Sequence, residues 1–191
     1  LRGLVGSEMC IRDRLKLYNE AMKEIIIVDD FSTDGSSDVI KKYETEYDFI
    51  KAIYKDKNKG KGDSQRLAKK HVTGDYVIIQ DADLEYEPED INKLLKIAIE
   101  ENKDFVIGHR QMKTSINHPY FYFRELAVNL LTFLMNILYK TSIIDCCCCY
   151  RLFDTKLWNA IEGNSDKFEY DFSIICQACL LYTSPSPRDL S

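Results

Sequence analysis

"EIIIVDDFSTDGSSD", residues 24–38, sets the architecture of this chain. Its first half is an unbroken apolar, largely β-branched run, the pattern of a strand covered on both faces. Its second half dissolves into Asp, Ser and Gly, which predicts a loop with Ser36 or Ser37 as a helix N-cap. Outward from there the elements alternate. "SSDVIKKYETEY" predicts an amphipathic helix, "FIKAIYK" a second strand, "GDSQRLAKKHV" a second helix and "YVIIQDAD" a third strand. Pro88 suits a first helical position, and "EDINKLLKIAIEEN" repeats Ile91, Leu94, Leu95 and Ala98 at helical spacing. "DFVIGHR" closes the series as a fourth strand. Such alternation predicts an α/β fold: a mostly parallel, Rossmann-like sheet with right-handed crossovers and flanking helices.

Both ends read as foreign to that domain. "LVGSEMCIRD" (4–13) can be encoded by a DNA whose reverse complement, shifted in frame, gives "CLLYTSPSPRD" (179–189). The two tails resemble one sequencing-library transposon adapter translated from opposite strands. Residues 1–14 and 179–191 are therefore set aside as adapter-like, leaving a single truncated domain over 15–178. A net charge of −5 gives no footprint for nucleic acid. Of seven cysteines, Cys146, Cys147, Cys148, Cys149 and Cys176 lie in the retained span. An odd count with four contiguous fits neither a disulfide framework nor normal metal-ligand spacing, and reads as packed thiols in a reducing compartment.

Charge gathers where a parallel sheet binds ligands, beyond the carboxyl ends of its strands. Asp30 ends the first strand, Asp81 and Asp83 the third, and Arg110 the fourth. Asp81 and Asp83 point to one side of an extended chain, and two hard oxygen donors suit Mg²⁺ or Mn²⁺ completed by a ligand's phosphates. Helix capping accounts for Glu87, Glu89 and Asp90, but the aspartate pair precedes the helix by several residues. The "GKG" at 60–62 lacks the ending of a P-loop and serves either as a flexible helix entry or as a ligand contact through Lys61. "RELAVNLLTFLMNILYKTSII" (124–144), preceded by "HPYFYFR", is too short and interrupted for a confident membrane span. It suits an interfacial amphipathic helix, with a buried core helix or an oligomer face as the alternatives.

Taken together, "EIIIVDDFSTDGS", "NKGKGDSQRLAKKHVTGDYVIIQDADLEYEPEDI" and "FVIGHR" resemble the family 2 glycosyltransferases. The resemblance is to the dolichol-phosphate mannosyltransferase and polyprenyl-phosphate glycosyltransferase branch, over about 24–178. It implies a GT-A fold and metal-dependent, inverting transfer of a hexose from a nucleotide-sugar, GDP-mannose or a UDP-sugar, to a polyprenyl or dolichyl phosphate. The setting it implies is the cytoplasmic face of a membrane. Val28 and Asp30 match the strand end that holds base and ribose; Asp81, Ala82 and Asp83 match the D-x-D that meets sugar-nucleotide and metal. Glu85 matches a further position near the metal, Arg110 the basic residue approaching the diphosphate, and Arg124 a basic residue near the lipid phosphate. A lipid phosphate needs no general base, whereas a hydroxyl acceptor does. Asp171 and Asp145 are candidates for that base, or else hydrogen-bond within their loops.

The match has departures. His109 stands where the family has a small serine, and Cys148 where it has threonine. The family's opening strand with its P-x-Y-N-E motif is not found, since the Tyr-Asn-Glu at 18–20 lies too close to the next strand to serve. The chain as written is therefore expected to be inactive and its sheet to lack a central strand. A receiver-type signalling domain and an inactive nucleotide-binding relative are the competing readings.

Overall fold

A computed structural model describes residues 24–81, 86–87, 89–109, 119–163 and 169–183. β1 (Ile25–Asp29) and β2 (Ile50–Tyr54) pair in parallel, from Ile25 opposite Ile50 to Asp29 opposite Tyr54. Between them α1 (Ser36–Glu46) crosses over and buries Ile40 and Tyr43, three residues apart on one face. No serine side chain caps this helix. Its N-cap is Gly35 at φ 86°, and the Ser36 N–H is accepted by Asp34 Oδ1 at 3.1 Å. Ser37 Oγ instead donates to Asp29, so the hydroxyl that local sequence assigns to capping ties the helix to the end of β1.

The chain continues through α2 (Lys61–Lys69), β3 (Tyr76–Ile79), α3 (Asp90–Glu100), β4 (Phe105–Ile107) and α4 (Pro119–Tyr139). The last described elements are β5 (Arg151–Asp154), α5 (Thr155–Ala160) and α6 (Glu169–Thr183). The α/β architecture with flanking helices is as expected. β5 was not anticipated: it inserts between β3 and β4, antiparallel to both, with Arg151 opposite Ile79 and Ile107. Among the described residues β1 and β3 belong to separate ladders. Glu24 joins them, its Oε1 accepting the N–H groups of Thr73 and Gly74 ahead of β3 at 2.5 and 3.2 Å.

Side-chain alternation along the three-stranded ladder builds two apolar layers. Leu152, with Tyr76, Ile78 and Val106, packs against Ile91, Leu94 and Ala98 of α3. Phe153, with Val77, Ile79 and Phe105, packs on the other face against Trp158 of α5 and Tyr170, Ile174 and Ala178 of α6. Gly163 is needed there, because a Cβ would lie 1.9 Å from the Tyr170 ring. A third cluster joins Met135 of α4 to Cys146 and to Ile175 and Cys179 of α6, so α6 runs past residue 178 with Cys179 buried. The opposite face of α4 is apolar and open: Phe123, Leu126, Leu130, Phe133, Leu134, Ile137 and Leu138 are all exposed. Asn136, a polar break in that run, closes the helix by bonding Ile143 N–H, Ile143 C=O and Thr141 Oγ1 at 2.8–2.9 Å. No helix among the described residues is long and apolar enough to cross a membrane.

Candidate active site

The two aspartates that end β1 divide their work. Asp29 is buried and accepts from Ser32 N–H at 3.1 Å as well as from Ser37, so it shapes the turn into α1. Asp30 reaches across to the next crossover. Its carboxylate accepts the N–H groups of Lys59 and Gly60 at 2.9 and 2.7 Å and pairs with Lys55 Nζ at 2.5 Å. Gly60 holds φ 94° with extended ψ, a conformation essentially confined to glycine, and this turn delivers Lys61 to the first position of α2. Lys55 also pairs with Asp63 at 2.8 Å. Beside this knot lies a cleft of about 520 Å³, lined by Lys55, Lys57, Lys59, Arg66 and Lys70 against only Asp56 and Asp63. Such a surplus of cations suits an anionic ligand.

The centre of the site is an ion cluster that spans the chain. Lys61 Nζ lies 2.6 Å from Asp81 Oδ1 and 2.9 Å from Oδ2, just beyond β3. The same ammonium lies 2.8 Å from Asp171 Oδ2 in the first turn of α6. Asp171 Oδ1 accepts Gln65 Nε2 at 3.0 Å and faces Arg151 Nη1 at 3.4 Å. Arg151, only 3% exposed, also donates from Nε to the Cys148 carbonyl and from Nη1 to the Asp171 carbonyl. Burial by itself would lower the Lys61 pKa, but hydrogen bonds to Asp171 and Asp81 outweigh it and raise it above 10.5. Cys149 sits on the other side of Asp81; burial first, and the Asp81 carboxylate after it, push its thiol up to about 11.

Two carboxylates already aimed at one cation form a donor set that a hard divalent ion uses. Two buried acceptors adjoin it: Gln65 Oε1 and Gln80 Oε1 have no hydrogen-bond partner. Gln80 Nε2 meanwhile binds the Asp81 carbonyl at 3.0 Å. Among the described residues no three His, Cys, Asp or Glu side chains converge on a metal position. Ala82, Asp83, Glu85 and Arg110 lie outside the described residues, so the D-x-D is represented by Asp81 alone. Val28 is half-buried in β1 opposite Ile53. Arg124 stands exposed on α4, and His109 is exposed after β4. Asp145 is buried and accepts Cys147 N–H at 2.9 Å, the loop-holding alternative of its two expected roles.

Gln65 escaped the sequence reading, and Arg151 entered it only as the basic residue that closes "DCCCCYR" (145–151). Gln65 lies three positions beyond the "GKG", but nothing local marks it; Arg151 is legible only as a cation in a short apolar stretch, which once buried requires a partner.

These pairs set a pH window. Burial would raise the Asp30 pKa, but Lys55 and the two N–H groups hold it below 3.8; the Lys55 hydrogen bond chiefly lowers Asp63. Carboxyls depressed by folding stabilise the fold above 3.8 and lose that contribution as pH falls through their lowered values. Lys55 and Lys61, raised despite burial, contribute fully below 10.5 and lose it as pH climbs through their raised values. Urea midpoints measured across pH are expected to hold between these limits and decline beyond each. A midpoint that rises on acidification below 3.8 would contradict the Asp30 and Asp63 pairings.

Comparison with known proteins bears on this geometry. The model of Glycosyl transferase family 2 matches residues 10–161. The dolichol-phosphate mannosyltransferase of Pyrococcus furiosus is 33% identical over 103 residues, 54% of this chain and 29% of that protein. The undecaprenyl-phosphate 4-deoxy-4-formamido-L-arabinose transferase of Sodalis glossinidius is 30% identical over 143 residues, 74% of this chain and 42% of that protein. The chain thus spans less than half the length of either relative. The Pyrobaculum calidifontis mannosyltransferase solved with GDP-Man and Mn²⁺ shares the fold at a TM-score of 0.60 and 16% identity, over 89% of this chain and 46% of that one. Mycobacterium tuberculosis glucosyl-3-phosphoglycerate synthase does so at 0.69 and 14%, over 92% and 61%. With a family match across most of its length, strands that end in the expected aspartates and a GT-A architecture around them, the chain belongs to glycosyl transferase family 2.

Proposed function

We propose that this chain carries the donor-binding part of a metal-dependent, inverting hexosyltransferase. It takes a hexose from a nucleotide-sugar, GDP-mannose or a UDP-sugar, to a polyprenyl or dolichyl phosphate at the cytoplasmic face of a membrane. The observation that carries the reading is the meeting of Asp81, Lys61 and Asp171 at one point beyond β3. Asp81, with Asp83 and Glu85 following it in sequence, would hold Mg²⁺ or Mn²⁺. When bound, the ion supplies a Lewis acid for the diphosphate leaving group. Lys61 balances the carboxylates and presents a second cation to the phosphates, with Arg110 as a further contact. Asp30 fixes the 59–61 turn from which Lys61 projects, and Val28 and Ala82 would meet the nucleotide, as the family resemblance implies. The unpartnered Gln65 and Gln80 oxygens suit a hydroxyl-rich ligand.

The contacts of Asp171 support one choice of acceptor. Its two oxygens are engaged by Lys61, Gln65 and Arg151, so neither is open to a substrate hydroxyl as its base. A phosphate acceptor, ionised near neutral pH, needs no such base, so a lipid phosphate is favoured over a sugar hydroxyl. The open apolar face of α4, with Arg124 near its start, suits a peripheral membrane contact where the lipid's phosphate would sit.

The test of the donor reading is calorimetric titration of GDP and UDP, with and without Mn²⁺, into the full-length gene product. Metal-dependent binding supports the reading and the preferred base narrows the donor; a folded protein that binds neither overturns it. For the membrane contact, Leu130→Asp with Phe133→Asp is expected to cut co-sedimentation with anionic vesicles more than tenfold. Each buried side chain is worth roughly 1.5–3 kcal/mol. Both side chains are exposed, so the fold is retained, and undiminished vesicle binding would remove this face from the reading.

A further inference from the structure

We propose that Cys146 and Cys147 are a redox-active thiol pair that closes reversibly to a disulfide between adjacent residues. Their Sγ atoms lie 3.8 Å apart and neither is in a disulfide. The pair is held in place from both sides. Thr132 Oγ1 donates to Cys146 Sγ and accepts the Cys146 N–H, each at 3.3 Å, while Cys147 N–H is fixed on Asp145 Oδ1 at 2.9 Å. Cys146 is buried against Met135, Ile175 and Cys179, whereas Cys147 is partly open. The hydrogen bond with Cys147, aided by Thr132 and opposed by burial, brings the Cys146 thiol down to about 6, which favours its thiolate.

Among the described residues no third ligand joins the pair to make a metal site. Oxidation is the chemistry left to it. With hydrogen peroxide, the Cys146 thiolate attacks one oxygen, the O–O bond breaks, and hydroxide leaves to become water by taking up a proton. Cys146 is then a sulfenic acid. The Cys147 sulfur attacks it, the S–O bond breaks as the S–S bond forms, and the Cys147 proton leaves with the hydroxyl as a second water. Two thiols and one peroxide thus give one disulfide and two waters. Adjacent Cα atoms stand about 3.8 Å apart, shorter than the usual range of about 4.4–6.8 Å for a disulfide, so the closed ring is strained. Strained disulfides are the easily reduced, regulatory kind. Closure also takes the sulfur acceptor from Thr132, and with it one of the bonds that fasten α4 to the loop leading into β5.

The experiment is peroxide treatment of the intact chain followed by mass spectrometry of the tryptic peptide 141–151, bounded by Lys140 and Arg151. The expected result is loss of two hydrogen atoms and no fragment ion from cleavage between Cys146 and Cys147, both reversed by dithiothreitol. Cys147→Ser should abolish the loss of hydrogen and Cys149→Ser should preserve it. The proposal is overturned if the oxidised peptide still fragments between residues 146 and 147, if it only gains oxygen, or if it is unchanged. Reading the wild-type peptide directly keeps the test independent of whether either variant folds.

Discussion

In the full-length gene product, Asp81→Ala is expected to lower kcat/KM for hexose transfer by at least about a hundredfold, the usual scale for losing one preorganised charge at a developing anion. The same substitution should abolish the gain in nucleotide affinity conferred by Mn²⁺. Asp81 meets Lys61 through both of its oxygens, and its loss removes the only described D-x-D carboxylate from the cluster. Lys61 keeps its contact with Asp171, and Asp171 keeps Gln65 and Arg151, so the surrounding structure stays tied together. Asp81→Asn, which preserves shape and removes charge, should fall nearly as far if charge is the active property. Initial rates over a Mn²⁺ series, with calorimetry beside them, make the measurement. Near wild-type turnover by Asp81→Ala would overturn the assignment of this end of β3 to the diphosphate.

Phe153→Ala is expected to cost about 3–5 kcal/mol, a large share of the stability of an ordinary domain. Phe153 is fully buried in the middle of β5, stacked on Phe105 at 4.9 Å and tilted against Trp158 at 5.1 Å. It stands opposite Val77 in the ladder and belongs to the cluster that seats α5 and α6. Truncation therefore opens a cavity at the joint that holds Asp171 near Lys61. Denaturant midpoints are the readout, with Phe133→Ala on the open face of α4 as the control. That change should stay within about 0.5 kcal/mol in solution. A Phe153→Ala cost no larger than the control's would mean that β5 is not the centre of the core.

The sequence legible in short windows was read well because those windows encode local physics. Continuous β-branched runs, helical spacing and acid at strand ends specify β1 to β4 and α1 to α3 within a few residues. The N-cap of α1 was misplaced because Ser37 has a tertiary partner in Asp29, which no local rule weighs. β5 was missed for a related reason. "RLFD" is four residues long, carries a charge at each of its own ends and is covered on both faces, so it shows neither alternation nor a long apolar run. The open α4 face was legible as a broad apolar stripe, while its choice of Thr132 and Met135 as the buried side depended on α6.

By itself the sequence determined the class of fold, the family, and that Asp30 and Asp81 follow the ends of two strands. Only the tertiary structure decided what those carboxylates face. It spent Asp30 on the 59–60 turn, joined Asp81 to Asp171 through Lys61, and buried Arg151 to hold the far partner in place. The physical reason is range. Strand and helix patterns are set by neighbours a few residues away, whereas an ion cluster closes across 20 to 106 positions of chain and exists only once β5 has locked the layers together.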